Sequence, residues 1–139
     1  MSDALAAPTD EVLHKLQGRR VIEIGAGDGS WLAAMLGAGI DAIGIDLLPR
    51  GSGVIQADHT AADLFEDRDL ILIVWPPDGT VIAKWVPDDW RGGVMVVGSF
   101  ARFTPLDWPV AWQAYLPAGV KGGNEARLSR GPDDERRTE

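Results

Sequence analysis

The chain has 139 residues, 45% of them hydrophobic, and a formal net charge of −8 from 21 acids against 13 Lys and Arg. That length suits one domain with a core of its own, and the absence of cysteine excludes disulfides, thiolate metal sites and cysteine nucleophiles. The acidic balance argues against a nucleic-acid substrate, because a surface that grips phosphates is usually basic.

No apolar run reaches 18 residues, so no membrane span is expected. The opening "MSDALAAPTDE" lacks the basic and long apolar regions of a secretory leader, which makes the cytoplasm the expected compartment. Arg127, Arg130, Arg136 and Arg137 are diluted by Asp133, Asp134, Glu135 and Glu139, so they make no basic patch.

Residues 1–8 are expected to fray. Thr9 can cap a short helix with Asp10 and Glu11 in its first turn and Val12, Leu13 and Leu16 as its apolar stripe, ended by Gly18. Residues 20–24 read as a buried strand and 30–36 as a helix stopped by "GAG". Residues 41–46 ("DAIGID") read as a second strand and 54–57 as a short third. A short helix is expected over 60–65, with Thr60 as cap and Asp63 at the capping-box position. The most apolar run, 69–75 ("DLILIVW"), reads as the central strand. Residues 80–86 place Val81, Ile82, Trp85 and Val86 on one helical face, with Pro87 as the stop, and 93–98 ("GVMVVG") make a fifth strand.

Strands alternating with short helices predict a parallel α/β sheet with right-handed crossovers. Links 47–53 and 99–109 are too short for a full helix. Residues 110–116 and 125–129 then read as a hairpin around "PAGVKGGN". One domain over 1–130 is expected, followed by a charged, disordered tail over 131–139.

The turn after the first strand, "EIGAGDGS", carries glycines at alternate positions, Gly25, Gly27 and Gly29, behind Glu23. A turn from parallel strand to helix lies at the carboxyl edge of the sheet, where open α/β folds bind ligands, and glycine lets a ligand approach the backbone closely. The dinucleotide pattern G-x-G-x-x-G fails at its third glycine, which is Ser30 here, and no G-K-[ST] follows to make a P-loop.

The pattern present, E-x-G-x-G-x-G, resembles motif I of class I S-adenosylmethionine-dependent methyltransferases. The resemblance runs from Arg20 to Gly98. It implies a Rossmann-like, mostly parallel seven-stranded sheet completed by the terminal hairpin, with some helices shortened or missing. It also implies S-adenosylmethionine as cofactor and S-adenosylhomocysteine as product. The methionine end would lie around Glu23, Gly25, Ala26, Gly27 and Gly29, where an acid suits a cationic ligand. Asp46 falls where the family binds the ribose hydroxyls, 21 residues after Gly25, and Leu47 would lie against adenine. Asp58 would receive the adenine amine, with His59 flanking the base, and Trp75 is a further expected cofactor-binding residue.

The fourth strand runs into "VWPPDG", in the place of the motif [DNS]-P-P-[YFW] of amino-group methyltransferases. Pro76 and Pro77 match, but Trp75 and Asp78 replace the polar and the aromatic residue. A side-chain acceptor is therefore missing, although a carbonyl of Trp75 or Pro76 could take its place. Methyl transfer needs mainly positioning, and a general base only for a weakly acidic nucleophile. His59 and Asp78 are the candidates, Tyr115 is remote, and His14 reads as surface.

The expected activity is methyl transfer to a small molecule. The alternatives are a protein of this fold without methyl transfer, as a regulatory or scaffold subunit, and an enzyme of non-methyl chemistry. Trp31 and Trp85 read as core, while Trp75, Trp90, Trp108 and Trp112 could line a substrate pocket or an interface. The aromatic segment Phe100–Trp112 suggests a homodimer contact.

Overall fold

Apolar content decides which segments become strands. The run "LILIV" forms the strand Leu70–Val74, the first four of its residues buried. In the computed structural model, which describes residues 7–116 and 124–132, this is the fourth of seven strands. The order is α1 (Asp10–Leu16), β1 (Arg20–Ile24), α2 (Ser30–Gly37), β2 (Asp41–Asp46), β3 (Val54–Gln56), β4 (Leu70–Val74), β5 (Gly93–Gly98), β6 (Val110–Tyr115) and β7 (Glu125–Ser129). Thr9 caps α1 as its residue type suggests, its Oγ1 accepting the Val12 N–H at 3.2 Å.

The strands form one sheet in the order β3-β2-β1-β4-β5-β7-β6. β1 to β5 are parallel, and β7 runs antiparallel to both β5 and β6. This is a single Rossmann-like α/β domain with a mostly parallel seven-stranded sheet. Residues 117–123, between β6 and β7, lie outside the described residues, as do most of the N-terminal stretch expected to fray and most of the charged tail.

The two faces are covered by different means. On one, Val12, Leu16, Trp31, Leu32 and Met35 of α1 and α2 pack on Val21, Leu70, Leu72, Met95 and Val97. On the other, Ile22, Ile24, Ile45, Ile71, Ile73, Val94 and Val96 meet Phe65, Ile82, Val86 and Phe103, with Phe100, Leu106, Trp85, Trp90 and Trp108 partly buried around them.

The helices expected over 60–65 and 80–86 are single 3₁₀ turns, Ala62–Phe65 and Ile82–Trp85. Thr60 is not a helix cap; its backbone N–H and hydroxyl both turn to Asp58 Oδ1. In the second segment Val81 pairs with Thr104 in an isolated bridge, which holds the start of the stretch extended. Segments this short gain too few hydrogen bonds to outweigh such tertiary contacts. Of the aromatic residues of 100–112, Phe103 is buried at 7% exposure, while Phe100, which packs on it at 4.8 Å, Trp108 and Trp112 are half-buried. Among the described residues, no helix is long and apolar enough to cross a membrane.

At the amino edge, charges close the sheet. Asp69 Oδ1 accepts from Arg19 Nε at 3.1 Å and from the Arg20 N–H at 3.1 Å, with Arg19 itself only 5% exposed. Arg68 Nη1 donates to Asp41 Oδ1 at 2.9 Å and to the Val21 carbonyl at 3.3 Å. β1, β2 and β4 are thereby pinned to one another at their starts.

Candidate functional site

The strand order reverses direction between β1 and β4, and the crevice at that point opens at their carboxyl ends. A cavity of about 440 Å³ lies there. Its walls come from the ends of β1 (Ile24, Gly25), β2 (Asp46, Leu47), β3 (Ala57, Asp58, His59) and β4 (Val74, Trp75, Pro76, Pro77), with Trp85 opposite. The volume falls in the range of small-molecule sites. Parallel pairing brings these four strand ends side by side.

Of the residues expected at a cofactor, Gly25, Asp46, Leu47, Asp58, His59 and Trp75 line this one cavity. Leu47 is 64% exposed, an apolar side chain with no cover from the chain. Asp46 is tied to the glycine turn: Oδ2 accepts the Gly27 N–H at 2.8 Å and Oδ1 the Leu48 N–H at 2.9 Å. Each oxygen keeps a second lone pair for a ligand. Asp58 commits Oδ1 to Thr60, and these bonds hold its carboxyl below the usual range, leaving Oδ2 outside the turn.

Four other expected residues sit beside or beneath the cavity. Ala26 is buried against Gly44, whose added Cβ would lie 2.8 Å from the Ala26 methyl. Gly29, at φ 81°, packs on Val54 and opens α2, with the Ser30 N–H donating to Asp28 Oδ1 at 3.0 Å. The space before Gly27 is occupied by the side chain of Arg50, whose Nη2 would lie 2.7 Å from an added Cβ.

Glu23 is 2% exposed, between Gly44 and Leu72 in the register, and among the described residues its Oε1 has no hydrogen-bond partner. Burial, then the charges of Asp28 and Asp46, push its carboxyl up to about 8, so it holds a proton at neutral pH.

Asp78, a candidate base, does not line the cavity. It is exposed and pairs with Arg102 Nη1 at 3.0 Å. The next residue is tied to the same partner, the Gly79 N–H donating to the Arg102 carbonyl at 2.7 Å. Tyr115 is 75% exposed on β6, at the sheet's far edge, and His14 is exposed on α1.

Trp85, expected in the core from its spacing, packs partly buried against the second face and also forms a wall of the cavity, with Cζ3 3.8 Å from the Cβ position of Gly25. It ends the 3₁₀ turn Ile82–Trp85. Trp75 has φ 51°, and no other non-glycine residue among the described ones has a positive φ. Such a conformation costs on the order of 1–3 kcal/mol and persists where surroundings over-determine it. Here the Trp75 N–H donates to the Val97 carbonyl at 2.7 Å, Pro76 and Pro77 follow, and Gly98 leaves room for the indole. Strain therefore stands at the cavity wall.

A larger concavity, about 550 Å³, lies at the opposite edge between Trp90, Trp108, Arg91, Arg130, Asp88 and Asp89. Its walls mix both signs of charge and none of the strand ends that meet at the switch point. The carboxyl-edge cavity is thus the stronger candidate for function, although it is smaller.

No family model and no curated protein match the chain. Among solved structures, a crystal structure of a point mutant of MtNAS aligns over 88% of this chain at 15% identity and a TM-score of 0.49. The alignment spans 57% of that longer chain.

Proposed function

We propose that the carboxyl-edge cavity binds S-adenosylmethionine, and that the chain transfers its methyl group to a small molecule. One observation carries the reading. Among the described residues, Asp46 and Asp58 form no salt bridge, although both line one cavity, and the buried, protonated Glu23 stands on the strand between them and β4. A ligand carrying an ammonium and a sulfonium supplies the missing positive charge.

The residues present fit such a ligand. The unpartnered Oε1 of Glu23 and the uncovered Leu47 are the features a cationic group and a flat base would satisfy. When bound, S-adenosylmethionine supplies an electrophilic methyl group. Asp46 holds the ribose through its free lone pairs, and Asp58 Oδ2 receives the base amine. Trp75 and Trp85 exclude water from the mouth. The half-buried His59 can take a proton from a hydroxyl or amine at a ring nitrogen.

A second reading, binding without methyl transfer, is favoured by the position of Asp78. Its salt bridge to Arg102 holds it outside the cavity, which leaves His59 as the acid–base candidate there. Titration calorimetry with S-adenosylmethionine and S-adenosylhomocysteine tests the site. Asp46→Ala is expected to weaken both by roughly tenfold or more, and Asp58→Ala by less. Equal affinity in wild type and Asp46→Ala would remove the assignment. Turnover of methyl-labelled cofactor against a metabolite extract then separates catalyst from binder.

A further inference from the structure

Segment 47–53, too short for a crossover helix, folds back onto the glycine turn. The Arg50 N–H donates to the Gly27 carbonyl at 3.0 Å, and Gly51 lies so close to the turn that an added Cβ would be 1.9 Å from the Asp28 carbonyl oxygen. This docking lays the Arg50 guanidinium across Gly27, whose missing side chain gives it room. The guanidinium is on an exposed residue and, among the described residues, takes part in no hydrogen bond or salt bridge. Asp28, its acidic neighbour, is held below the usual carboxylate range first by its hydrogen bonds with Ser30 and then by the charge of Arg50.

We propose that Arg50 binds the carboxylate of the ligand's amino-acid end, so that the site selects a zwitterion over a simple nucleoside. The inference rests on the cofactor reading above. Asp28 and Asp46 place negative charge at the glycine turn, strongly enough to help keep Glu23 protonated, which suits an ammonium and repels a carboxylate on the same carbon. A zwitterion needs one cation facing that turn. Arg50 lies across Gly27, two residues from the cavity-lining Gly25, and its planar fork matches a carboxylate in two parallel hydrogen bonds. The short link that replaces a helix thereby gains a role in recognition.

Calorimetry with two probes tests this: S-adenosylhomocysteine, and 5′-methylthioadenosine, which lacks the amino-acid end. Arg50→Ala is expected to weaken S-adenosylhomocysteine by about tenfold to a hundredfold while leaving methylthioadenosine unchanged. Arg50→Lys should recover part of the loss, since it restores the charge without the fork. Arg50 is exposed, so its variants should fold, as unfolding curves would verify. Equal weakening of both probes would make Arg50 a support of the loop, and no weakening of either would make it a bystander. Both results overturn the inference. Wild-type protein that binds neither probe overturns the cofactor reading itself, whereas equal wild-type affinity for the two overturns only the role of Arg50.

Discussion

The two ends of the same strands treat charge in opposite ways. At the amino edge Asp69 meets Arg19 and Arg20, and Asp41 meets Arg68. At the carboxyl edge Asp46 and Asp58 bond to backbone and hydroxyl donors, and Glu23 is buried with an unpartnered oxygen. Cations are available in the chain, so the difference is one of placement. The paired edge fixes the sheet, and the unpaired edge keeps an electrostatic demand that a ligand can meet.

The comparison breaks most visibly at Asp69. Asp69→Ala leaves Arg19 buried without its carboxylate, and breaking such a pair costs about 3–5 kcal/mol. Denaturant unfolding should show that loss. A loss below about 1 kcal/mol would mean that the amino edge is not held by its charges.

Glu23 probes the other edge. Its folded-state pKa, about 8, lies above the ordinary 4.5, so folding favours the protonated form. Its contribution is fully present below pH 4.5 and is lost as pH rises toward 8, at roughly 1.4 kcal/mol per pH unit within that window. Glu23→Gln should flatten this part of the stability profile while leaving stability at low pH nearly unchanged. A wild-type profile without that slope would show that Glu23 is not the buried acid described.

The smallest effect is expected at Asp78, whose pair with Arg102 is exposed on both sides. Asp78→Ala should change stability by no more than about 0.5 kcal/mol and leave the affinity for the proposed cofactor as it is. A drop in affinity would bring Asp78 back to the site.

How far the sequence reveals each region depends on what builds it. The central strands follow apolar runs, and "DAIGID" and "GVMVVG" become β2 and β5 at the bounds those runs suggest. The helix-covered face is equally legible, because Val12 and Leu16 recur at the helical period. The opposite face is not. Val81, Ile82, Trp85 and Val86 have helical spacing, yet a bridge from Val81 to Thr104 and only seven residues before Pro87 leave one 3₁₀ turn. The lining acids Asp46 and Asp58 stand at strand ends and can be found by counting, whereas Trp85 and Arg50 reach the site through irregular backbone with no period to read. For Glu23, the acid behind the glycines is plain in the sequence. Its burial depends on Gly44 and Leu72 beside it, which only pairing reveals.

The docking of segment 47–53 also decides which glycine a diverging copy of this gene can replace. Before Gly27 stands the tip of a flexible arginine, which can swing aside, and asparagine tolerates the left-handed backbone at that position. Before Gly51 stands the carbonyl of Asp28, fixed in the turn, and there a single methyl group has nowhere to go. A variant that alters the motif at Gly27 can therefore keep its architecture. One that alters Gly51 must first give up the contact between the two loops, and with it the placement of Arg50.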